Sequence, residues 1–310
     1  MKIIEIKKDS QDRREIKIFG HRIARFKPTK RFLIRKLHNE LNLIKGSIDI
    51  TRMPAATGWL RDIQLANLAI MKEVAKFCDE HGFSYWMSEG TLLGAVRHGG
   101  FIPWDDDIDL GMKRDEYDRF VDEFNKFEHP YLYAEYAGRI SDHMIKVRHR
   151  DLPLCFVDIF AFDYYYGRLD GWDARCELTK RIQEKQSHVY APDDLTAKRE
   201  FYRNWRETEL CGTKSSDFEG KPLIYKCVDF WDAPSRSYFY DYDDIFPLQM
   251  IKFEGVEFAA PRRPDVHLTC TYGDYMGFPN SRYSGGHVNM KELSLRDIMA
   301  IKDWLESISS

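Results

Sequence analysis

Apolar residues recur at steps of three and four in several long segments of this chain, which is the spacing of a helix with one buried face. The clearest such segment runs over 59–77 and stops before Gly82, a residue type that commonly ends helices. The same spacing predicts helices over 30–45, 92–98, 113–127, 264–272 and 294–308.

Shorter segments are apolar throughout or alternate between apolar and polar residues, which predicts strands. Between 164 and 245 the chain is charged and aromatic with few strand signals, so we expect a helical lobe there. The expected strands lie at 83–87, 143–148 and 154–162, in an N-terminal hairpin of 2–7 and 15–19, and in a hairpin over 249–260 that turns at 254–255.

Together these elements predict an α/β protein of the mixed α+β type, with a small mixed sheet flanked by helices and an additional helical lobe. The predicted division is a basic N-terminal hairpin and helix over 1–50, a core over 51–163, the helical lobe over 164–245, and a C-terminal hairpin and helices over 246–310 that complete the core.

Composition limits the class of protein. A chain of 310 residues with 43% hydrophobic residues can bury a full core, as one large domain or two modest ones. Neither a spanning apolar stretch of about 20 residues nor the apolar core of a signal peptide is visible, so we expect a cytoplasmic protein. Six scattered cysteines without a CxxC pair predict neither a zinc site nor a disulfide framework.

Charge is distributed unevenly along the chain. Residues 1–50 hold 14 Lys and Arg against 6 Asp and Glu, a balance of +8, so a net charge of -3 leaves -11 on the remainder. The basic segment is either a solvated face or a surface attracted to an acidic partner, such as the inner membrane leaflet or a pyrophosphate-linked lipid. Nucleic acid is not expected as a partner, because no recognised binding module accompanies the charge. The helix over 30–45 is amphipathic, with Phe32, Leu33, Leu37, Leu41 and Ile44 on one predicted face.

Four carboxylates within five positions are the strongest chemical signal. If Ile108 lies in a buried strand with its alternate neighbours, Asp107 and Asp109 project together from the opposite face. Two carboxylates that close repel each other unless a cation lies between them, and Mg²⁺ is the hard divalent ion that best suits oxygen ligands. The spacing of Asp105, Asp107, Asp109 and Glu116 also matches a calcium loop, but Leu110 stands where that loop needs glycine.

Other polar residues predict partners for this acidic segment. Gly90 and Thr91 lie between a predicted strand and helix, where free N–H groups and a hydroxyl can hold phosphate oxygens. Asp158 lies inside an apolar strand, where it is costly unless it binds metal or is paired by backbone or arginine, and a neighbouring strand would place it beside the acidic pair. Four basic candidates for neutralising a pyrophosphate are Arg97, His98, Lys146 and Arg148.

These features belong to longer motifs: LRDIQL (60–65), GTLLGAVRH (90–98), GFIPWDDDID (100–109), KVR (146–148), VDIF (157–160), FEGVEF (253–258) and YGDYM (272–276). At these residues the chain closely resembles the LicD family, which is related to fukutin and the wider nucleotidyltransferase-fold superfamily. The resemblance covers about half of the chain, roughly 59–163 and 249–280. It implies that the core over 51–163 is nucleotidyltransferase-like and catalytic, and leaves the lobe over 164–245 as a possible acceptor site.

The resemblance implies transfer of a phospho-alcohol, with phosphocholine from CDP-choline favoured, from a CDP-activated donor to a hydroxyl of a cell-surface or lipid-linked glycan, with release of CMP. Such glycans include lipopolysaccharide and teichoic acid. By position, Asp107 and Asp109 should hold Mg²⁺ or Mn²⁺ with Asp158 as third ligand, and Asp105 or Asp158 should act as base. Two alternatives remain open: a true nucleotidyltransferase that moves NMP from an NTP and releases pyrophosphate, and a non-catalytic scaffold.

Overall fold

The predicted helices and strands are arranged in two units. The structure, a computed structural model, describes residues 4–8, 14–18, 21–26, 30–137, 144–187, 194–209, 217–226, 239–278 and 293–309. Its two compact units are Met1–Ile50 and Thr51–Ser310. The finer division of the second unit at 163 and 245 stays a prediction.

The first unit contains a three-stranded antiparallel sheet and one helix. Strands β1 (Ile4–Lys8) and β2 (Arg14–Ile18) pair as the predicted hairpin, and β3 (His21–Phe26) pairs with β2. The sequence does not predict β3, because HRIARF shows no clean alternation of apolar and polar residues. Helix α1 (Lys30–Ser47) follows where the spacing predicts it.

Several large apolar residues of α1 are exposed. Leu33, Leu37, Leu41 and Ile44 recur at helical spacing and share one exposed face, as predicted. Phe32 was wrongly assigned to that face, because successive residues lie about 100° apart around a helix and Phe32 therefore falls outside the stripe.

A seven-stranded mixed sheet forms the centre of the second unit, as the fold prediction requires. Along its main path the strand order is β10-β9-β8-β5-β4; β7 also pairs with β8 and, on its other edge, with β6. Strands β5 and β8 run parallel, and every other described pairing in this sheet is antiparallel. The seven strands are β4 (Tyr85–Met87), β5 (Asp109–Lys113), β6 (Leu132–Ala137), β7 (Met144–His149), β8 (Phe156–Tyr165), β9 (Leu223–Lys226) and β10 (Phe239–Asp241).

Helices and one hairpin surround this sheet. The hairpin consists of β11 (Gln249–Phe253) and β12 (Val256–Ala260) and turns at 254–255, as predicted. Within the described ranges, no helix combines the length and the apolar content needed to cross a membrane. The helices are α2 (Trp59–His81), α3 (Glu89–His98), α4 (Arg114–Lys126), α5 (Gly171–Ser187), α6 (Leu195–Glu209), α7 (Tyr242–Ile245), α8 (Pro264–Tyr272) and α9 (Leu295–Ser309).

Apolar side chains cover both faces of the central sheet. Helices α2 and α4 contribute to the larger core on one face, together with the side chains of Leu110 and Ile159. The opposite face is aromatic and includes Trp86 and Phe162. Gly111 on β5 allows these two rings to approach, because a Cβ there would lie 2.5 Å from Trp86 Nε1 and 2.8 Å from the Phe162 ring. One end of this aromatic face carries the acidic residues.

The structure differs from the sequence prediction at several boundaries. Helix α3 begins at Glu89, so Gly90 and Thr91 lie in its first turn rather than in a preceding turn. Strand β5 begins at Asp109, so Asp107 lies just before the strand. The 164–245 region contains the helices α5 and α6, but β9 and β10 also join the central sheet there. Strands β9 and β10 have only four and three residues, and β9 pairs with a strand distant in sequence, so local patterns do not reveal them. Strand β6 is also absent from the sequence prediction.

Candidate functional site

Parallel pairing of β5 with β8 brings the predicted carboxylates together. Asp109 lies opposite Asp158 in the register, and the Asp158 N–H donates to the Ile108 carbonyl at 2.8 Å. Asp107 comes from the segment that leads into β5. One potential ligand atom from each of Asp107, Asp109 and Asp158 lies within 4.8 Å of the others, and all three residues are buried. The predicted adjacency of Asp158 to the pair is therefore present.

A second group of acids overlaps the first. Asp105, Asp106 and Asp107 also offer one carboxylate oxygen each within 4.8 Å of one another, and Asp107 belongs to both groups. Burial, followed by the charges of Asp107 and Asp158 and then of other nearby acids, raises the pKa of Asp109 well above its usual value. The donor set consists of oxygen atoms and carries excess negative charge, which fits a hard divalent cation.

The start of α3 fixes the backbone of β5. The Asp109 N–H donates to Thr91 Oγ1 at 2.8 Å, and the Ser88 N–H donates to the Asp109 carbonyl at 3.0 Å. Gly90 lies against the acids, because a Cβ there would lie 2.6 Å from Asp105 Oδ2. Gly90 and Thr91 therefore border the acid cluster, and phosphate binding by them stays a prediction.

Two buried amides on α2 hold the acidic segment, and sequence reasoning did not select them. Gln64 Nε2 donates to the Asp105 carbonyl at 2.8 Å and to the Ile102 carbonyl at 3.3 Å. Asn67 Nδ2 donates to the Asp106 carbonyl at 2.8 Å, while its Oδ1 accepts the Phe156 N–H at 2.9 Å. Neither amide is exposed. The sequence feature that could have indicated them is a pair of amides three residues apart on the predicted buried side of α2, because buried amides need hydrogen-bond partners.

The strand β7 places Lys146 directly beside Asp158. The Lys146 Nζ donates to both carboxylate oxygens of Asp158, at 2.5 Å and 2.7 Å. The two residues lie opposite each other in the β7–β8 register. Asp158 is therefore paired with a lysine as well as adjacent to the other acids. Arg148 lies two residues further along β7, where its Nε donates to Glu135 Oε1 at 2.5 Å.

A second buried ion pair on the same face was missed by sequence reasoning. Lys226 Nζ lies 2.8 Å from Glu89 Oε1 and 4.6 Å from the centre of the Phe160 ring. Glu89 has a φ of 40°, in the left-handed region that residues other than glycine rarely adopt. Its charge contributes to the raised pKa of Asp109. The sequence signal was an acid directly before Gly90 and a lysine ending the apolar segment LIYK.

Arg97 and His98 lie at the opposite end of α3 from Thr91. One Arg97 terminal nitrogen donates to the Tyr275 carbonyl at 2.7 Å, and Arg97 Nε donates to His98 Nε2 at 3.0 Å. Burial lowers the pKa of Arg97, whereas the charges of Tyr272 and Asp105 act in the opposite direction. Burial and the Arg97 charge lower the pKa of His98 to about 4. Asp105 of the second acid group therefore acts on Arg97, and the phosphate-binding role of Arg97 and His98 stays a prediction.

The calcium-loop alternative does not fit this arrangement. Glu116, which would supply its last ligand, lies on α4, where it accepts the Ser84 N–H at 2.5 Å and pairs with Lys113 at 2.6 Å. Asp109 begins a strand rather than continuing a loop.

Comparison with known proteins agrees with these motifs. Residues 82–216 match the family model described as LicD/FKTN/FKRP, nucleotidyltransferase domain. This part of the chain is similar to the nucleotidyltransferase domain of that family. The match begins just before β4 and includes all the acids described above.

Two curated proteins that are similar to this chain have assigned activities in their names. The lipopolysaccharide cholinephosphotransferase LicD of Haemophilus influenzae is 29% identical over 259 residues, which cover 71% of this chain and 92% of that protein. The ribitol 5-phosphate transferase FKRP of Homo sapiens is 45% identical over 49 residues, which cover 14% of this chain and 10% of FKRP. Similarity to FKRP is thus local, whereas similarity to LicD extends over most of both proteins.

Proposed function

We propose that this chain acts as a LicD-family enzyme that transfers a phospho-alcohol, with phosphocholine favoured, from a CDP-activated donor to a hydroxyl of a cell-surface or lipid-linked glycan. The observation that carries the proposal is the approach of Asp107, Asp109 and Asp158 to within 4.8 Å at the β5–β8 pairing. Similarity to the Haemophilus influenzae cholinephosphotransferase supports phosphocholine as the group and lipopolysaccharide as the acceptor class. Teichoic acid is the second acceptor class.

Asp107, Asp109 and Asp158 are the residues that would hold Mg²⁺ or Mn²⁺. When bound, the ion would offset negative charge on the donor pyrophosphate and on the departing CMP. The protein contributes the geometry of this site, because the Thr91 hydroxyl holds the backbone of Asp109, and Gln64 and Asn67 hold the carbonyls of the two residues directly before Asp107.

The two lysines supply positive charge on the same face of the sheet. Lys146 restrains both oxygens of Asp158, and Lys226 reaches across Phe160 toward Glu89. We propose that the donor phosphates bind near both amines, with Gly90 and Thr91 at their other side.

Asp105 is our choice as the base, ahead of Asp158. Lys146 already holds both oxygens of Asp158, whereas Asp105 is less buried than the three proposed ligands. In the proposed step, the acceptor hydroxyl oxygen attacks the phosphorus of the phosphocholine group and its proton passes to Asp105. The bond from that phosphorus to the bridging oxygen breaks, and CMP leaves with the bonding electrons.

The acceptor is proposed to be a glycan presented at the cytoplasmic face of the inner membrane. The 164–245 region, in which α5 and α6 accompany the sheet strands, is the proposed acceptor lobe. Helix α5 contributes Leu178 and Ile182 to a small core that also contains Tyr225 of β9, and Trp205 of α6 packs against it.

The test is release of CMP from CDP-choline, CDP-ethanolamine, CDP-glycerol and CDP-ribitol, each with Mg²⁺ and with EDTA, in the presence and absence of lipopolysaccharide. We expect CMP from CDP-choline that depends on the metal and increases with the acceptor. Pyrophosphate release from CTP without CMP release from any donor would replace the proposal with the nucleotidyltransferase alternative. No product from any donor, with lipopolysaccharide or teichoic acid present, would favour the non-catalytic scaffold.

A further inference from the structure

Helix α1 carries an exposed apolar stripe. The side chains of the stripe are between 46% and 68% exposed, although large apolar residues of a soluble helix usually face a core. At about 100° per residue they occupy an arc of roughly 100° around the helix. The stripe consists of Leu33, Ile34, Leu37, Leu41 and Ile44.

Basic residues surround this stripe. Lys36 and Lys45 border its two sides in helical projection, and Lys36 pairs with the single acid of the helix, Glu40, at 3.1 Å. The first turn contains no acid and begins with Lys30 and Arg31, although the helix dipole disfavours cations at that end. The charges of Lys30 and Arg31 therefore do not serve the stability of the helix itself.

We propose that the apolar stripe of α1 docks on the surface of an anionic lipid membrane. An apolar stripe bordered by lysines on a helix of low overall hydrophobicity is the pattern of a helix lying in the membrane interface. The long lysine side chains can reach the headgroups while the leucines enter the acyl boundary. A balance of +8 over residues 1–50 provides the complementary charge.

Charge also favours an anionic lipid surface, rather than a second copy of this helix, as the partner of the stripe. Two α1 helices packed stripe to stripe would bring together two segments that each hold five basic residues and one acid. That contact gathers like charges, whereas an anionic bilayer neutralises them. The proposal is independent of the transfer reaction, although a lipid-linked acceptor would give such docking a purpose.

Co-sedimentation of the full chain with vesicles tests this proposal. Vesicles of phosphatidylcholine alone are compared with vesicles containing 30% phosphatidylglycerol, at about 0.1 M and about 0.5 M salt. We expect binding to the anionic vesicles that weakens at high salt. Leu37→Gln/Leu41→Gln should weaken it by more than about tenfold, because each leucine loses its apolar burial.

Matched variants distinguish vesicle binding through the stripe from binding through other exposed apolar residues or through charge alone. Leu295→Gln/Met299→Gln removes two apolar residues of α9 that are 80% and 62% exposed and should leave vesicle binding unchanged. Lys36→Gln/Lys45→Gln should reduce binding by about fivefold for each charge. All variants should retain metal-dependent CMP release in detergent-free buffer, so a failure of docking is distinguishable from a failure of the proposed reaction.

Two results would overturn the proposal. One is absence of binding to the anionic vesicles, or binding that the α1 variants do not change. The other is a dimer in sedimentation equilibrium that Leu37→Gln/Leu41→Gln dissociates, without any vesicle binding, which would assign the stripe to self-association.

Discussion

Single side chains decide how closely the acids approach one another. Asp109 lies on β5 and faces two other carboxylates, and its backbone is held by the Thr91 hydroxyl. Burial and repulsion raise its pKa, so the arrangement without a cation costs stability. Cation binding, as proposed above, would offset this cost.

The isosteric change Asp109→Asn tests whether this acid lowers the stability of the protein and at the same time serves cation binding. We expect CMP release to fall more than roughly 100-fold, since even outer partners of metal ligands contribute about 10–100-fold. In EDTA the variant should melt roughly 2–4 °C higher, because one repulsive charge is gone. Mg²⁺ should raise the melting temperature of the wild type but not of the variant. An equal Mg²⁺ response in both would contradict the assignment of Asp109 as a ligand.

Thr91 allows a second test at the same scale. Thr91→Val keeps the shape but leaves the buried Asp109 N–H without its acceptor, which should cost about 1–3 kcal/mol in urea unfolding. Thr91→Ser retains an oxygen and should recover most of that loss. If valine and serine variants unfolded at the same urea concentration, the hydroxyl would not hold β5.

At the scale of elements, the hairpin β11–β12 holds the loop before the acids through hydrogen bonds. Glu254 at its turn accepts two hydrogen bonds from Arg61 on α2, at 3.0 Å and 2.6 Å, and one from the Phe101 N–H at 3.1 Å. The hydrogen bonds from Arg61 lower the pKa of Glu254. This carboxylate thus joins a helix, a hairpin and a loop that are far apart in sequence.

Glu254→Gln should therefore destabilise the protein in a pH-dependent way. A carboxyl with a lowered pKa stabilises the fold above its ordinary pKa, and this contribution is lost as pH falls through the folded value. We expect a deficit of about 1–3 kcal/mol at pH 7 that narrows below about pH 4. Urea unfolding at pH 7 and below about pH 4 measures this deficit in the free energy of unfolding. The exposed Glu257→Gln on the same hairpin is the control. A deficit that is the same at both pH values would exclude the ion pair as its source.

Sequence patterns predict some elements far better than others. Helices α2 and α4 and the hairpin β11–β12 lie within a few residues of their predicted positions, because each is defined by local periodicity or a local turn. Strands β9 and β10 are not predicted, because β9 pairs with β8 across a long stretch of intervening chain and β10 in turn pairs with β9.

The same distinction applies to the site. Asp107, Asp109 and Asp158 are predictable because acids are costly among apolar residues, whatever the fold. Lys226 and Glu89 are not, because only the sheet order places β9 near the start of α3. The hydrogen-bonding roles of Gln64 and Asn67 likewise depend on how α2 packs against the loop.

At the scale of the whole molecule, one buried histidine links folding to pH. His267 is fully buried and stacks on Tyr240 at 4.4 Å, and neither of its ring nitrogens has a hydrogen-bond partner among the described residues. Burial, followed by the charge of Lys226, lowers the pKa of His267 to about 3. The folded state therefore keeps this ring neutral at pH values where the unfolded chain protonates it.

His267 should make the protein less stable in acid. Because its folded pKa lies below its unfolded value, stability falls as pH decreases below about 6.5, by about 2 kcal/mol at pH 5. His267→Phe preserves a stacking ring and should remove this part of the loss between pH 7 and pH 5. The exposed His38→Gln serves as control. Equal losses in wild type and His267→Phe would show that other groups cause the acid sensitivity.

The central claim is that the acids of the β5–β8 pairing form a divalent-cation site. Titration of the full chain with Mn²⁺, with free ion followed by electron paramagnetic resonance, tests it without knowledge of donor or acceptor. We predict saturable Mn²⁺ binding that Asp109→Asn and Asp158→Asn each abolish and that Asp122→Asn, an exposed acid on α4, retains. Undiminished Mn²⁺ binding in Asp109→Asn and Asp158→Asn, or none in the wild type, would contradict the account.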